Sequence, residues 1–315
     1  MTESAIRVRD VVRDYRRPRS SLRRPGPVVH ALRGVSLDVA RGQRFGIVGE
    51  SGCGKSTLLR IIAGLDQPTS GSVQVGGVEI SRLPERRLGF LRAQLQLVFQ
   101  DPMGSLDPRM RVRDIIAEPL VAQGHRDSLA RVHELLDAVG LQPEAADRYP
   151  HQFSGGQRQR ISIARALAPD PRILVADEPV SALDVSVRAQ VLNLLADLVD
   201  RLSLTLVFVS HDLSVVRHVC DTVAVMNRGE IVETGPIDQV YDAPAHPYSR
   251  QLVAAAPRLQ AALAGRTAAV LAAETLAARA AGRQAPTTAP ATAAATPSAR
   301  TPSATPPAPT PKDVP

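Results

Sequence analysis

The chain has 315 residues, 44% of them apolar, which is enough for one large domain or two small ones with a substantial core. Its formal net charge is +7, but the arginines are scattered, so the charge alone indicates neither a nucleic-acid surface nor a membrane surface. No apolar run reaches the ~18 residues of a membrane-spanning helix, no signal peptide is visible at the start, and Cys53 and Cys220 form no metal-ligand pattern. These features predict a soluble protein of a reduced compartment.

The N-terminal part of the chain is predicted to be rich in β-strands. Residues 6–12, 35–39 and 72–77 alternate or cluster apolar residues, and residues 94–102 form a further strand that leads into a proline-marked turn. The dense basic run at 16–25 is predicted to be an exposed loop, with contact to phosphate or lipid as the alternative.

The following part alternates helices with buried strands. Residues 109–167 carry apolar positions at helical spacing, with Gly124 and Gly140 at predicted helix ends. The pattern then predicts a strand at 172–179, a helix at 189–202, a strand at 204–212 and a hairpin at 222–235 that turns at Arg228 and Gly229. This alternation indicates an α/β fold with a mostly parallel sheet, whose ligands bind beyond the carboxyl ends of the strands.

The composition changes near residue 257, so the predicted folded domain is 1–257. Residues 258–283 are rich in alanine and are predicted to form a helix. Residues 284–315 are mostly alanine, proline and threonine, and they lack the large apolar residues needed to form a core. We therefore expect them to be a disordered tail.

The stretch GESGCGKST at 49–57 matches the pattern G-x-x-x-x-G-K-[ST] between a predicted strand and a predicted helix. Backbone N–H groups of such a turn face one concavity, and the helix N-terminus adds positive potential there, so the loop is suited to a nucleoside triphosphate. Lys55 is predicted to reach the outer phosphates and Ser56 to bind Mg²⁺. The loop's nucleotide-binding residues are Gly49, Glu50, Ser51, Gly52, Cys53, Gly54, Lys55, Ser56 and Thr57.

Two adjacent carboxylates end the buried run ILVA. Asp177 is predicted to be the second protein ligand of Mg²⁺, and Glu178 to orient a water molecule for in-line attack on the γ-phosphate. The alternative, an acidic pair on the surface, is common in isolation but does not fit well downstream of a phosphate loop.

A second phosphate cradle is predicted at SGGQ, residues 154–157, where Ser154 precedes two glycines and the start of a helix. One subunit does not need two cradles for one nucleotide. A head-to-tail pair of subunits resolves this, because Ser154, Gly155, Gly156 and Gln157 of one molecule then cover the γ-phosphate held by the loop of the other. The alternative is a plain linker or helix cap.

The order of these motifs resembles the ATP-binding subunit of ATP-binding cassette (ABC) transporters over about residues 5–250. The resemblance implies a P-loop ATPase with an N-terminal antiparallel β-subdomain and a helical subdomain inserted at about 103–167, with ATP and Mg²⁺ as cofactors. It also implies roles for single residues. Tyr15 is similar to the residue that stacks on adenine, with strand packing as the alternative. Gln100 is similar to the glutamine that senses Mg²⁺ and water, Asp184 to the residue that communicates between sites, and His211 to the catalytic switch histidine.

Finer segments, among them QDPMGSLDPRMRV and AHPYSRQLVAAAPRL, resemble the ATPases of oligopeptide, dipeptide or nickel importers. This resemblance implies integral membrane permease subunits, a second ATPase subunit (the same chain or a related one), and an extracytoplasmic substrate-binding protein. The chain would then lie at the cytoplasmic face of the membrane. Many members of this group continue into a cysteine-containing extension, but no cysteine follows Cys220 here.

The sequence leaves two alternatives to an importer ATPase. An exporter ATPase of the same fold is disfavoured by the motifs. A soluble ABC ATPase acting on nucleic acid or the ribosome would carry a second cassette or a long coiled coil between the phosphate loop and SGGQ, and the chain has neither. We therefore expect no nucleic-acid partner.

Overall fold

Two β-sheets organise the fold of this chain. The computed structural model describes residues 3–16, 28–125 and 128–255. The strands are β1 (Ser4–Arg16), β2 (Val28–Ala40), β3 (Arg44–Val48), β4 (Ser70–Val75), β5 (Val78–Glu79), β6 (Leu95–Val98), β7 (Ile173–Asp177), β8 (Thr205–Ser210), β9 (Thr222–Asn227) and β10 (Glu230–Pro236). The helices are α1 (Lys55–Ile62), α2 (Gly89–Gln94), α3 (Pro102–Ser105), α4 (Val112–Ala122), α5 (Leu129–Ala138), α6 (Gly155–Leu167), α7 (Val185–Arg201), α8 (Leu213–Val219), α9 (Ile237–Asp242) and α10 (Pro247–Ala255).

The larger sheet has six strands in the order β10-β9-β3-β8-β7-β6. All neighbours pair in parallel except β10 and β9, which form the predicted antiparallel hairpin. The smaller sheet has four antiparallel strands in the order β2-β1-β4-β5. The predicted mostly parallel core sheet and N-terminal antiparallel sheet are both confirmed.

The larger sheet is buried on both faces. Alternate residues of β8 point to different cores: Phe208 packs with the helices that follow β6, whereas Val207 packs with α1. Every residue of β8 is buried, as expected for a central parallel strand made of aliphatic and β-branched residues. The carboxyl ends of β3, β7 and β8 are thereby fixed at one edge of the sheet.

Helices α3 to α6 lie between β6 and β7 in the chain, where the inserted helical subdomain was predicted. Gly124 and Gly140 end α4 and α5 with backbone φ values of 90° and 68°, a conformation that glycine adopts without steric cost. The structure also contains α8, α9 and α10, which the sequence patterns did not predict.

Three predictions lie outside the described residues: the exposed loop within 16–25 beyond Arg16, the helix at 258–283 and the disordered tail at 284–315. Within the described ranges, no helix combines the length and the apolar character that crossing a membrane requires.

Candidate nucleotide site

The phosphate loop lies at the carboxyl end of β3 and leads into α1. Gly52 and Gly54 have φ values of 80° and 109°, which strongly favour glycine. Gly49 has a different constraint: a Cβ atom there would lie 2.3 Å from the backbone oxygen of Met226. The pattern of glycines therefore follows from the tight turn and from the strand packed beneath it.

Lys55 is held inside its own loop. Its ammonium group donates hydrogen bonds to the carbonyl oxygens of Gly49 (2.7 Å) and Glu50 (3.0 Å) and lies 3.8 Å from Oε1 of Glu178. Only 5% of the residue is exposed. A single cation thus sits at the concavity of the loop, where phosphate oxygens are expected to bind.

Asp177 ends β7 beside the first turn of α1. Its Oδ1 accepts a hydrogen bond from the Ser56 hydroxyl at 3.4 Å. Burial raises the pKa of Asp177, the charge of Glu178 raises it further, and the Ser56 hydrogen bond and Lys55 oppose the shift. A half-buried carboxylate next to a hydroxyl group is an oxygen ligand set that suits Mg²⁺.

Glu178 and His211 meet at the ends of neighbouring strands. Nδ1 of His211 lies 2.9 Å from Oε2 of Glu178. The Glu178 backbone has a φ of 44°, in the left-handed region, and its N–H donates to the carbonyl oxygen of Val209 at 3.0 Å. The fold thus holds a strained carboxylate residue between Lys55 and His211.

A cavity of about 820 Å³ adjoins these groups. The residues that form its wall are Val29, His30, Ala31, Glu50, Ser51, Gly52, Gly54, Lys55, Ser56, Thr57, Gln100, Glu178, His211, Gln251 and Leu252. The structure therefore brings the predicted loop residues together with Gln100, Glu178 and His211. Of the other predicted residues, Gly49, Cys53 and Asp177 lie next to the wall without forming it.

Tyr15 is not part of this wall. Its hydroxyl group donates to Oδ2 of Asp66 at 2.6 Å, and the guanidinium carbon of Arg13 lies 4.5 Å from its ring centre. From the paired strand β2, Val29 and His30 reach the cavity instead. The stacking of Tyr15 on adenine stays a prediction.

The SGGQ segment forms the N-terminus of α6, away from this wall. The Ser154 hydroxyl accepts the Gln157 N–H (3.3 Å), and the Gln157 side chain accepts the Ser154 N–H (3.0 Å), which makes a capping box. The N–H groups of Gly155 and Gly156 have no acceptor within the helix because they belong to its first turn. Asp184 caps α7 in a similar way, accepting the N–H groups of Ser186 and Val187.

Comparison with known proteins places this geometry in a family. A family model described as "ABC transporter" matches residues 32–181. The di/tripeptide transport ATP-binding protein DppF of Pseudomonas aeruginosa is 46% identical over 82% of this chain and 80% of its own length. The chain belongs to the ABC transporter family.

Other ABC relatives extend this result. OppF of Bacillus subtilis, an oligopeptide transport ATP-binding protein, is 46% identical over 82% of this chain and 84% of its own length. OppD of Mycobacterium tuberculosis, also an oligopeptide transport ATP-binding protein, is 52% identical over 80% of this chain, but the match covers only 42% of that protein. The chain thus spans less than half of the length of this relative.

The solved ABC cassettes have the same fold. The dimeric ATP-binding cassette MJ0796, in a post-hydrolysis state bound to ADP and Pi, is 31% identical with a TM-score of 0.66 over 74% of this chain and 98% of its own. CbiO1 of Clostridium perfringens, part of an ABC transporter complex, is 27% identical with a TM-score of 0.65 over 76% of this chain and 92% of its own. This chain carries a nucleotide-binding ABC ATPase cassette.

The sequence patterns did not predict the contribution of α10 to this ABC site. Gln251 and Leu252 form part of the cavity wall, and the Tyr248 hydroxyl contacts the loop at Glu50. The HPY segment at 246–248 belongs to a stretch that resembles importer ATPases, but nothing in its pattern indicates contact with a phosphate loop. Burial raises the pKa of the Cys53 thiol in the same loop, which disfavours its nucleophilic thiolate form.

Proposed function

We propose that this chain is the ATP-hydrolysing subunit of an ABC importer that takes up oligopeptides or dipeptides. The relatives named for peptide transport, at 46–52% identity, support the substrate class. The observation that carries the activity is the meeting of Lys55, Glu178 and His211 at one end of the loop cavity. A nickel importer, which the sequence patterns also allowed, has no support among these relatives.

The residues present fit a magnesium nucleotide. Ser56 and Asp177 would hold the ion, which neutralises phosphate charge when it is bound. Among the described residues there is no group of three or more histidine, cysteine or acidic side chains suited to a metal. Two protein oxygens are nevertheless sufficient, because Mg²⁺ usually keeps several water molecules and takes further ligands from substrate phosphates.

The protein residues would then divide the work of hydrolysis. Lys55 would exchange its loop carbonyl partners for phosphate oxygens. Glu178 would accept a hydrogen bond from the attacking water and orient it, and His211 would fix the Glu178 carboxylate from its other side. Gln100, on the same cavity wall, is placed to contact the water or the ion.

A second subunit would complete each site. The capping box at Ser154 uses two of the N–H groups at the start of α6, and the N–H groups of Gly155 and Gly156 are suited to an anion there. Because this helix start is not in the wall of the chain's own cavity, we propose that it binds the γ-phosphate of a partner arranged head to tail. The partner is the same chain or a related ATPase.

A groove between α2, β6 and α4 is proposed to receive the permease. This cavity of about 530 Å³ is lined by apolar residues, among them Leu91 and Leu97, and by charged ones such as Glu118. Phe99 at its edge is 40% exposed, and Val121 on α4 is 59% exposed. Gln100 directly follows Phe99, so a permease helix in this groove would sit one residue from the nucleotide cavity.

These partners would hold the chain at the cytoplasmic face of the membrane, with a substrate-binding protein on the other side. Co-purification from the native membrane tests this arrangement. We expect two permease proteins to co-purify with the chain, and a gene for a peptide-binding protein to lie beside the permease genes. Recovery with a permease that has no binding protein would contradict import.

The Glu178→Gln variant tests the shared site. We expect hydrolysis to fall by at least about 100-fold, because the water loses its carboxylate partner, while ATP binding persists. Without turnover, ATP should trap a dimer in size-exclusion chromatography with light scattering. The exposed Glu144→Gln change, in the helical subdomain, serves as the matched control and should still hydrolyse ATP. A Glu178→Gln protein that binds ATP and stays monomeric would refute the head-to-tail site.

A further inference from the structure

The C-terminal helix α10 makes a direct hydrogen bond to the phosphate loop. The backbone N–H of Glu50 donates to the hydroxyl oxygen of Tyr248 at 3.0 Å, although the two residues are 198 positions apart in the chain. Tyr248 is only 8% exposed. Buried tyrosine hydroxyl groups usually have a hydrogen-bond partner, and here the partner is an amide of the nucleotide-binding loop itself.

Glu50 is held from two sides. While its N–H is bound to Tyr248, its carbonyl oxygen accepts the Lys55 ammonium group at 3.0 Å and the Cys53 N–H at 3.3 Å. When phosphate draws Lys55 away, the Glu50 carbonyl oxygen loses one of its two hydrogen-bond donors. The Tyr248 bond does not depend on Lys55, so it can keep the start of the loop in place.

The N-terminal end of α10 is itself anchored to the larger sheet. The Glu233 carboxylate, on β10, accepts the N–H groups of Ala245 (2.9 Å) and His246 (3.0 Å), just before the helix begins. The Tyr248 N–H donates to Nδ1 of His246 at 3.2 Å. Tyr248 therefore lies on a helix start that is fixed to the edge strand, and its hydroxyl group contacts the loop from this fixed position.

We propose that Tyr248 is a positioning residue for nucleotide binding, which orients the Glu50 peptide so that the remaining loop amides face the phosphates. This inference rests on the proposed function, since the ligand is the nucleotide. It gives a role to Tyr248, a residue of the HPY segment to which the resemblance assigned none. If the loop leaves its binding geometry part of the time, apparent affinity falls in proportion to the fraction that remains competent.

The Tyr248→Phe variant removes only the hydroxyl group and leaves the ring in place. We expect its dissociation constant for ATP, measured by calorimetry, to rise about 3- to 10-fold, the range for one lost hydrogen bond. Because the loss affects binding rather than the chemical step, KM should rise by the same factor and kcat should stay within about twofold. Tyr241→Phe is the matched control: Tyr241 lies on α9, where it packs against Arg217, and we expect wild-type affinity.

Hydrogen exchange provides a second readout that does not use nucleotide. In Tyr248→Phe without ATP, the peptide containing Glu50 should exchange faster than in the wild type, while peptides from β8 should not change. If Glu50 exchanged at the same rate in Tyr248→Phe and the wild type, and both proteins bound ATP with the same affinity, the proposal would be overturned. If the wild-type chain bound no ATP at all, the proposed function would fail, yet the exchange comparison would still decide whether Tyr248 holds the loop.

A second variant, Glu233→Gln, tests the anchor without touching the loop. Its side chain keeps one carbonyl oxygen for two backbone N–H groups, so α10 should be held more loosely. We expect a smaller rise in the ATP dissociation constant in the same direction, with faster exchange at Glu50. Normal binding and normal exchange at Glu50 in Glu233→Gln would contradict the proposed role of the anchor.

Discussion

The contact between α6 and α7 makes a quantitative prediction for Gly156. A Cβ atom at Gly156 would lie 2.2 Å from Cγ1 of Val187, much closer than two carbon atoms can approach. A Cβ atom at the adjacent Gly155 would meet its nearest neighbour, Cδ2 of Leu183, at 3.4 Å, an ordinary contact. Gly156→Ala should therefore be disruptive and Gly155→Ala tolerated, although both changes fall in the same turn.

The size of the effect follows from opposing contributions. Forcing an extra methyl group into a packed site costs about 1–3 kcal/mol. Val187 cannot easily move aside, because valine in a helix strongly prefers one rotamer. Replacing glycine by alanine stabilises a helix by up to about 1 kcal/mol in its interior, and by less in its first turn. We expect Gly156→Ala to lower the free energy of unfolding by about 1–2 kcal/mol.

A double-mutant cycle separates this clash from other effects. Val187→Ala alone removes two methyl groups from a partly buried side chain and should cost about 1 kcal/mol. In the double variant the alanine at 156 fills the space that Val187 leaves, so we expect a coupling energy of about 1–2 kcal/mol in favour of the pair. Urea denaturation measures all four proteins. ATP hydrolysis should fall in Gly156→Ala and recover in the double variant, because α6 carries Ser154. Additive free energies would refute the reasoning.

Two further predictions concern the loop and the cysteines. Lys55→Ala should weaken ATP binding by more than about tenfold, because it removes the charge for the phosphates, and unchanged binding in calorimetry would rule out the assigned role of Lys55. Burial raises the pKa of both Cys53 and Cys220, so the reactive thiolate is scarce below the raised pKa values. At about pH 7.5 Ellman's reagent should react slowly with both thiols of the native protein and rapidly once guanidinium unfolds it. Rapid labelling of the native chain would contradict this burial.

Residues that belong to contiguous motifs could be predicted from the sequence. The loop, Asp177, Glu178 and His211 each follow a buried strand directly, and parallel strands bring their carboxyl ends to one edge. Such reasoning needs only the local pattern and the rule for ligand sites in α/β sheets. It does not require knowledge of which strands are neighbours, so the sequence alone could place these residues at one edge of the sheet, while their roles stay predictions.

The contribution of α10 could not be predicted in the same way. The hydrogen bond between Tyr248 and Glu50 depends on how the chain returns across the sheet after β10, and the segment is too short to show a clear apolar period. The helix α8 has only seven residues after the Asp212 cap, which is too few to show a helical spacing of apolar residues. The first turn of α7 was not predicted, because the family resemblance of Asp184 does not reveal that this residue caps a helix.

The left-handed backbone of Glu178 explains how adjacent carboxylates can serve one site. Along a strand, successive side chains point to opposite faces, so a β7 that continued straight would separate Asp177 from Glu178. The φ of 44° at Glu178 ends the strand, and the bonds from the Glu178 N–H to Val209 and from Ser181 to the Glu178 carbonyl hold the turn. This conformation costs about 1–2 kcal/mol for a residue that is not glycine. Asp177 can then contact Ser56 while Glu178 contacts Lys55 and His211, so the strain falls at the residue that the proposed hydrolysis requires.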